Sequence, residues 1–216
     1  TRLQGDWSSD VCSSDLRNIK ATFFMVGRNA AAYPHIVKRM QEEGHEVANH
    51  TWAHPLLTGY GAEGVKSQLR RTHDAIEKAC GTAPILYRPP YGGARLTQRR
   101  SIMEEFGYPT ILWDVDPLDW QSPRSVQKVY DRVLSMTKPG SIVLLHDIHE
   151  TTVNAMPATL DVLIERGYKM VTVTQLIQLE AQNAPAQPVV AAEEPAPLPV
   201  ETDTAVLATE PPAATP

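Results

Sequence analysis

The sequence has little cysteine, no long apolar run and no excess of basic residues. Only two of its 216 residues are cysteines, Cys12 and Cys80, so neither a disulfide framework nor a cysteine-based zinc site is predicted. No apolar run approaches the roughly 20 residues of a membrane-spanning helix, so no membrane span is predicted in the visible chain. The net charge of −5 equals the acidic excess of residues 181–216. The formally neutral remainder argues against nucleic acid as the main partner.

The composition changes at residue 181. From Ala181 onward the chain has eight prolines, five acidic residues and no lysine or arginine. Such a segment cannot bury enough apolar surface to offset the entropy lost on ordering, so residues 181–216 are predicted to be a disordered tail. The part before it has the length and composition of one globular domain.

Strand-like apolar runs and helical patterns alternate along the globular part. Alternating strands and helices predict a mostly parallel sheet with helices outside it, here an α/β barrel. Gly81 and Gly167 stand where a left-handed residue commonly ends a helix. The predicted strands are 19–26, 45–49, 85–88, 109–113, 141–146 and 168–173, and the predicted helices are 33–43, 62–80, 97–106, 123–136, 151–166 and 174–182.

Two histidines, His50 and His54, follow the apolar run 46–49. Imidazoles at positions i and i+4 share one face of a helical turn, so both can reach one metal ion. A bare His-x3-His pattern also occurs by chance, and alone it predicts a metal site only weakly. His45 and Glu46 before His50 imitate a zinc-protease signature, but the spacing is one residue too long and we reject that interpretation.

Three more predicted strands end in polar or aromatic clusters. These are Arg88-Pro-Pro-Tyr-Gly-Gly, the run from Trp113 to Trp120, and His146-Asp147. Active sites of β/α proteins are built at the carboxyl ends of strands. Four such ends predict one shared site and are hard to explain as solvated loops.

In these motifs the chain resembles the polysaccharide deacetylases of the NodB-homology type, carbohydrate esterase family 4. The family's His-[Ser/Thr]-x-x-His motif matches residues 50–54, its Arg-x-Pro-Tyr motif 88–91, its Asp-x-x-Asp-Trp motif 116–120 and its Leu-x-His motif 144–146. The resemblance implies a NodB-homology domain over residues 17–180, with a distorted (β/α) barrel of fewer than eight regular units. The family's opening motif, Thr-Phe-Asp-Asp-Gly-Pro, has no match in the chain.

Residues 1–16 offer an explanation for the missing motif. Residues 5–16 show no helical or strand periodicity and agree with one reading frame of a common sequencing-library adapter. We therefore interpret residues 1–16 as an artefact of sequence assembly. On this hypothesis the chain is truncated and lacks the first strand and helix of the barrel, the general base and the third metal ligand.

The resemblance also implies roles for the motif residues. His50 and His54 would bind Zn²⁺ or another divalent transition metal. Arg88 would hold the general base, and the backbone N–H of Tyr91 would help to stabilise an oxyanion. His146 would be the general acid, held and charged by Asp119. Trp120 and Leu144 would wall the groove for the sugar and its acetyl group.

The implied reaction is de-N-acetylation of an N-acetylglucosamine-containing polysaccharide, peptidoglycan first and chitooligosaccharide next, with acetylxylan as the third candidate substrate. The implied location is extracytoplasmic. The alternatives are a non-catalytic carbohydrate-binding relative and an unrelated metal-dependent barrel enzyme such as a sugar isomerase. Individual residues also have simpler interpretations: Arg88 as a surface salt bridge, Trp113 and Trp120 as core aromatics, and His149 as a loop residue.

Overall fold

A computed structural model describes residues 18–183, and the fold in this range is mixed α/β. The predicted artefact segment 1–16 lies outside the described residues, as does the predicted tail from residue 184 onward. The last helix runs through Asn183, so residues 181–183, predicted to begin the tail, are helical. Within the described range, no helix combines the length and hydropathy needed to cross a bilayer.

The sheet is parallel and is built from very short segments. Strands β1 (Thr22–Met25) and β2 (Glu46–Asn49) pair in parallel, with Phe23 opposite Val47. Single parallel bridges extend this pairing, from Asn49 to Tyr87, from Tyr87 to Thr110, and from Val115 to Val143. The parallel direction places the carboxyl ends of these segments at one edge.

The four later strands are shorter than predicted. The segments 85–88, 109–113 and 141–146 take part only in single bridges, and 168–173 forms no strand in the described range. Pro84, Pro89 and Pro109 lack the N–H that a longer ladder needs. At Val173 the N–H donates to the Thr22 hydroxyl (2.8 Å), so a side chain takes the place of a backbone partner.

Helices occupy most of the chain between these segments. The 62–80 prediction is confirmed to the residue, whereas the six-residue helix after β1 is too short for a periodic pattern to reveal it. The fifth helix begins at Val126, three residues later than predicted, because the Ser125 hydroxyl caps it by accepting the Lys128 N–H (3.4 Å). The bounds are α1 Gly27–Ala32, α2 Pro34–Glu42, α3 Ala62–Cys80, α4 Leu96–Phe106, α5 Val126–Met136, α6 Glu150–Glu165 and α7 Val173–Asn183.

Separate buried clusters support the two ends of the sheet. Helix α3 takes part in two of them, through Ile76 against β1 and β2 and through Leu69 against α4. A third cluster joins α5 to α6 around Val133 and Leu163. The loop after β2 therefore packs on α3, whereas the segment around Val143 packs on the α5–α6 pair. A fourth cluster around Ala48 and Ile111 packs against both Phe24 and Ile142.

Candidate active site

The two histidines after β2 lie in a loop and not in a helical turn, so the helical interpretation of their spacing is wrong. Thr51 and His54 have φ values of 65° and 57°, a left-handed conformation that no α-helix contains. The loop nevertheless brings the rings together. The ring centroids of His50 and His54 lie 4.8 Å apart in an edge-to-face arrangement.

Buried hydrogen bonds hold this loop in its unusual conformation. The Asn49 side chain accepts the Thr51 N–H (3.0 Å) and donates to the main-chain oxygen of Leu69 in α3 (2.9 Å). The Thr51 hydroxyl in turn accepts the His54 N–H (3.2 Å). Asn49 and Thr51 are both 0% exposed, so losing either contact would leave a polar group buried without its partner.

Helices α1 and α3 close around the same loop. The N–H of Gly27 donates to the Thr51 oxygen (2.9 Å), and the Arg71 guanidinium lies 4.0 Å from the Trp52 ring centroid. A Cβ atom at position 27 would lie 2.4 Å from the Thr72 hydroxyl and 2.8 Å from the Trp52 ring. Glycine is the residue that fits this close approach.

The two imidazoles are suited to binding a cation. Nδ1 of His50 lies 2.7 Å from the main-chain oxygen of Arg88. Because that oxygen can only accept, Nδ1 carries the proton and Nε2 keeps a free lone pair. Burial lowers the pKa of His50 to about 3 and also lowers the pKa of His54, so both rings are neutral near pH 7. Two neutral imidazoles fit a divalent transition metal; residues 18–183 contain no cluster of three or more His, Cys, Asp or Glu side chains able to hold one.

Arg88 is a buried cation and not a surface residue. It is 6% exposed, and its Nη2 donates to the main-chain oxygen of Leu112 (3.0 Å). Its guanidinium lies 4.1 Å from the Phe24 ring centroid and 5.8 Å from that of Trp113. Burial lowers its pKa to about 10. The interpretation of Arg88 as a surface salt bridge is therefore wrong.

Tyr91 forms the rim beside the histidines. Its backbone is left-handed, with φ of 59°, inside the short 3-10 turn Pro90–Gly92. Tyr91 is 71% exposed, and its ring centroid lies 4.8 Å from that of His54. An aromatic face next to the two imidazoles is a suitable surface for a sugar ring.

The second half of the site is the pair of Asp119 and His146. Oδ1 of Asp119 lies 2.7 Å from Nδ1 of His146, and Oδ2 accepts both the His146 backbone N–H (2.7 Å) and the Thr152 hydroxyl (2.9 Å). Burial by itself raises the pKa of Asp119, but the hydrogen bonds from His146 and Thr152 outweigh it, and the pKa lies below its usual value. The predicted contact between Asp119 and His146 is present.

The charge of His146 also reaches the first half of the site, where it helps to lower the pKa of both His50 and His54. Of the two predicted groove residues, Trp120 is 48% exposed and Leu144 is 9% exposed. Leu144 is fixed by its N–H, which donates to the Val115 oxygen (2.9 Å). The strand ends thus bring the His50–His54 pair, Arg88 and the Asp119–His146 pair to one edge.

Two histidines that the sequence analysis left outside the site have other positions. His45 is 2% exposed, and its Nδ1 accepts the Ala21 N–H (3.2 Å) at the amino end of β2. His149 precedes α6 as its N-cap residue, with its ring centroid 6.2 Å from that of His146. Sequence reasoning missed Asn49, Thr51 and Thr152 as supports of the site, because a buried hydroxyl or amide has no periodic signature.

Comparison with known proteins gives consistent matches. A profile described as polysaccharide deacetylase matches residues 15–111. The chain is 41% identical over 163 residues to the peptidoglycan-N-acetylmuramic acid deacetylase PdaC of Bacillus subtilis, covering 76% of this chain and 34% of the relative. It is also 41% identical over 159 residues to the peptidoglycan-N-acetylglucosamine deacetylase PgdA of Listeria monocytogenes, covering 74% and 33%. The chain therefore spans about a third of the length of these relatives.

A shorter relative is covered more fully. The chain is 32% identical to the chitooligosaccharide deacetylase of Rhizobium leguminosarum bv. trifolii over 73% of this chain and 79% of that protein. The solved structure of PdaC matches with a TM-score of 0.77 at 36% identity, covering 84% of this chain and 88% of the other. A family 4 pseudoenzyme of Bacillus anthracis matches with a TM-score of 0.74 at 30% identity, covering 79% and 60%. These similarities confirm the predicted fold class.

Proposed function

The chain belongs to the polysaccharide deacetylase family, and from this premise we propose that its domain carries out metal-dependent de-N-acetylation of an N-acetylated polysaccharide, peptidoglycan or chitooligosaccharide. The observation that carries the proposal is the meeting of two neutral imidazoles, His50 and His54, with the Asp119–His146 pair at the carboxyl edge of the sheet. We also propose an extracytoplasmic location, because two of the relatives are named as deacetylases of peptidoglycan.

His50 and His54 would hold the cation, which we propose to be Zn²⁺ or another divalent transition metal. When bound there, such a cation would supply Lewis-acid chemistry, polarising the acetyl carbonyl and lowering the pKa of water. The main-chain oxygen of Arg88 fixes the tautomer of His50, so its Nε2 is available without rearrangement. The exposed ring of Tyr91 would orient the sugar, and its backbone N–H would donate to the developing oxyanion.

His146 would protonate the departing amine. Asp119 accepts its Nδ1–H, so Nε2 would be the nitrogen that faces the substrate and gives up the proton. Trp120 and Leu144 would line the groove that receives the sugar and the acetyl methyl group.

The general base has no counterpart among the described residues. Arg88 is buried and has no carboxylate of residues 18–183 within ion-pair distance. A buried guanidinium is costly without a partner, so Arg88 fits a carboxylate brought by another segment, as the family's Asp-Asp motif would bring it. We therefore also propose that the 216-residue chain, which lacks that motif, is inactive as written.

A chimera tests both proposals. Residues 1–16 are replaced by the segment of Bacillus subtilis PdaC that precedes the matched region, and acetate release from chitooligosaccharide and from peptidoglycan is measured. We expect none above background from the chain as written. The chimera should release acetate, lose this activity with a chelator and regain it with Zn²⁺. Activity of the unmodified chain would require another base.

A non-catalytic, carbohydrate-binding role is the second candidate, and the similarity to a family 4 pseudoenzyme favours it. The same chimera separates the two candidates. A folded, metal-loaded chimera that binds chitooligosaccharide in calorimetry but releases no acetate would establish binding and refute catalysis.

A further inference from the structure

Thr152 is a buried residue of α6 that contacts the acid pair. It is 1% exposed and lies in the first turn of the helix, which begins at Glu150. Its hydroxyl donates to Oδ2 of Asp119 (2.9 Å), and the donor and the acceptor are both buried. Its backbone N–H donates to the His149 oxygen (2.9 Å), and this contact fixes the position of the Thr152 backbone.

The two oxygens of Asp119 have different partners. Oδ2 is held from two directions, by the Thr152 hydroxyl and by the His146 backbone N–H, and Oδ1 accepts the proton on the His146 ring. Two donors on Oδ2 fix the plane of the carboxylate. Without the hydroxyl, one backbone N–H would hold Oδ2 and the carboxylate could rotate away from the ring.

The position of Thr152 adds a second effect. The first turn of α6 carries the positive end of the helix dipole, which favours an anion nearby. A hydrogen bond to a charged carboxylate in a buried setting is also stronger than one between neutral groups. Both effects keep Asp119 ionised and oriented.

We propose that Thr152 is a positioning residue for the acid: its hydroxyl fixes Asp119 so that Oδ1 remains the acceptor of the His146 Nδ1–H. This sets the tautomer of His146 and directs its Nε2 toward the groove. The kinetic consequence rests on the proposed function, whereas the structural consequence does not. The chain offers a matched control in Thr151, whose buried hydroxyl has no hydrogen-bond partner among the described residues.

The first test uses the 216-residue chain and needs no activity. An imidazole N–H held by a buried carboxylate gives a slowly exchanging, downfield proton NMR signal, which His146→Ala identifies by its loss. Thr152→Val, which keeps the shape and removes the hydroxyl, should broaden or abolish this signal. Thr152→Ser and Thr151→Val should retain it. An unchanged signal in a folded Thr152→Val protein would overturn the proposal.

The second test measures turnover in the chimera described above. Thr152→Val should lower kcat about 10-fold or more with KM unchanged, since a hydrogen bond to a charged group is removed. Thr152→Ser should restore most of kcat, and Thr151→Val should match the parent. A purely structural role would lower Tm and leave kcat per folded molecule unchanged, which contradicts the proposal.

The outcomes separate the two levels of inference. The parent chimera could be inactive while Thr152→Val loses the NMR signal and Thr152→Ser and Thr151→Val retain it. In that case the proposed function fails and the positioning role of Thr152 stands. If Thr152→Val does not fold, Thr152→Ser and Thr152→Ala decide, because these variants differ by a single hydroxyl. Equal signals and equal kcat in that pair would refute the role of the hydroxyl.

Discussion

Nδ1 of His50 lies 2.7 Å from the main-chain oxygen of Arg88. The backbone of the 85–88 segment thus fixes the imidazole that follows the neighbouring strand β2. The contact involves the backbone of Arg88, whereas its guanidinium is turned toward Leu112 and Phe24. One residue thus contributes to the site twice, by orienting a candidate metal ligand and by placing a buried positive charge.

Metal binding should depend on both histidines of this loop. In the chimera, His50→Ala and His54→Ala should each weaken Zn²⁺ binding at least 10-fold, because each removes a proposed ligand. Metal content after dialysis, measured by atomic absorption, checks this expectation. His35→Ala on the exposed face of α2 is the control and should keep its metal. Full retention by either loop variant would remove that histidine from the site.

The acid pair should affect turnover and not metal loading. In the chimera, His146→Ala should lower kcat on an N-acetylglucosamine oligomer by roughly 10²-fold or more, since it removes the proposed proton donor. Metal content should stay at the parent level. His149→Ala, which changes the N-cap residue of α6, should keep near-parent turnover. If His149→Ala lowered kcat and His146→Ala did not, His149 would have to be the proton donor in place of His146.

Asp119 should make stability depend on pH in the acid range. Its folded-state pKa lies below the usual 3.8, so its contribution is fully present above the unfolded pKa and is lost as pH falls through the folded pKa. The free energy of unfolding of the parent should exceed that of Asp119→Asn most clearly near about pH 5 to 6, and this difference should shrink below about pH 4. Urea unfolding across pH measures it.

Asp74→Asn is the matched control for that series, because Asp74 is an exposed carboxylate on α3. Its difference from the parent should be small throughout. A gap between the parent and Asp119→Asn that stays constant down to pH 2 would show that ionisation of Asp119 does not stabilise the fold.

Gly27 should be sensitive to a single methyl group. Gly27→Ala would place Cβ 2.4 Å from the Thr72 hydroxyl and 2.8 Å from Trp52, so the histidine loop or α3 must shift. We expect a loss of about 1–3 kcal/mol in unfolding free energy, as for other overpacked sites. Gly59→Ala has nothing within 4 Å of the new Cβ and should be nearly neutral. Thermal unfolding of both variants decides between these expectations.

The motifs predicted which residues meet, and the structure shows by what means. The i,i+4 spacing indicated a shared helical face for His50 and His54, but left-handed residues in a loop bring the rings together. That loop depends on Asn49 and on Leu69, 20 residues away in sequence, and no local pattern can report such a contact.

Strand positions were predicted better than strand lengths. The apolar runs at 85–88, 109–113 and 141–146 mark where the chain crosses the sheet, and Tyr87, Thr110 and Val143 each form a bridge there. Prolines limit how far two of these pairings extend, because a proline lacks the donor that a ladder requires. Thr152 could not be found from periodicity, since its importance comes from Asp119, which lies 33 positions away.

The histidine loop packs on α3 and the acid pair on α5 and α6, whereas a fourth cluster around Ala48 and Ile111 packs against both Phe24 and Ile142. Damage confined to α3, or to the α5–α6 pair, therefore need not reach the other half of the site. A descendant of this domain could lose the His50–His54 pair and keep the Asp119–His146 contact, or lose that contact and keep the two neighbouring imidazoles. A relative can thus keep the fold and lose only one half of the site. Loss of the histidine pair and loss of the Asp119–His146 pair would then differ in whether metal binding or proton transfer fails.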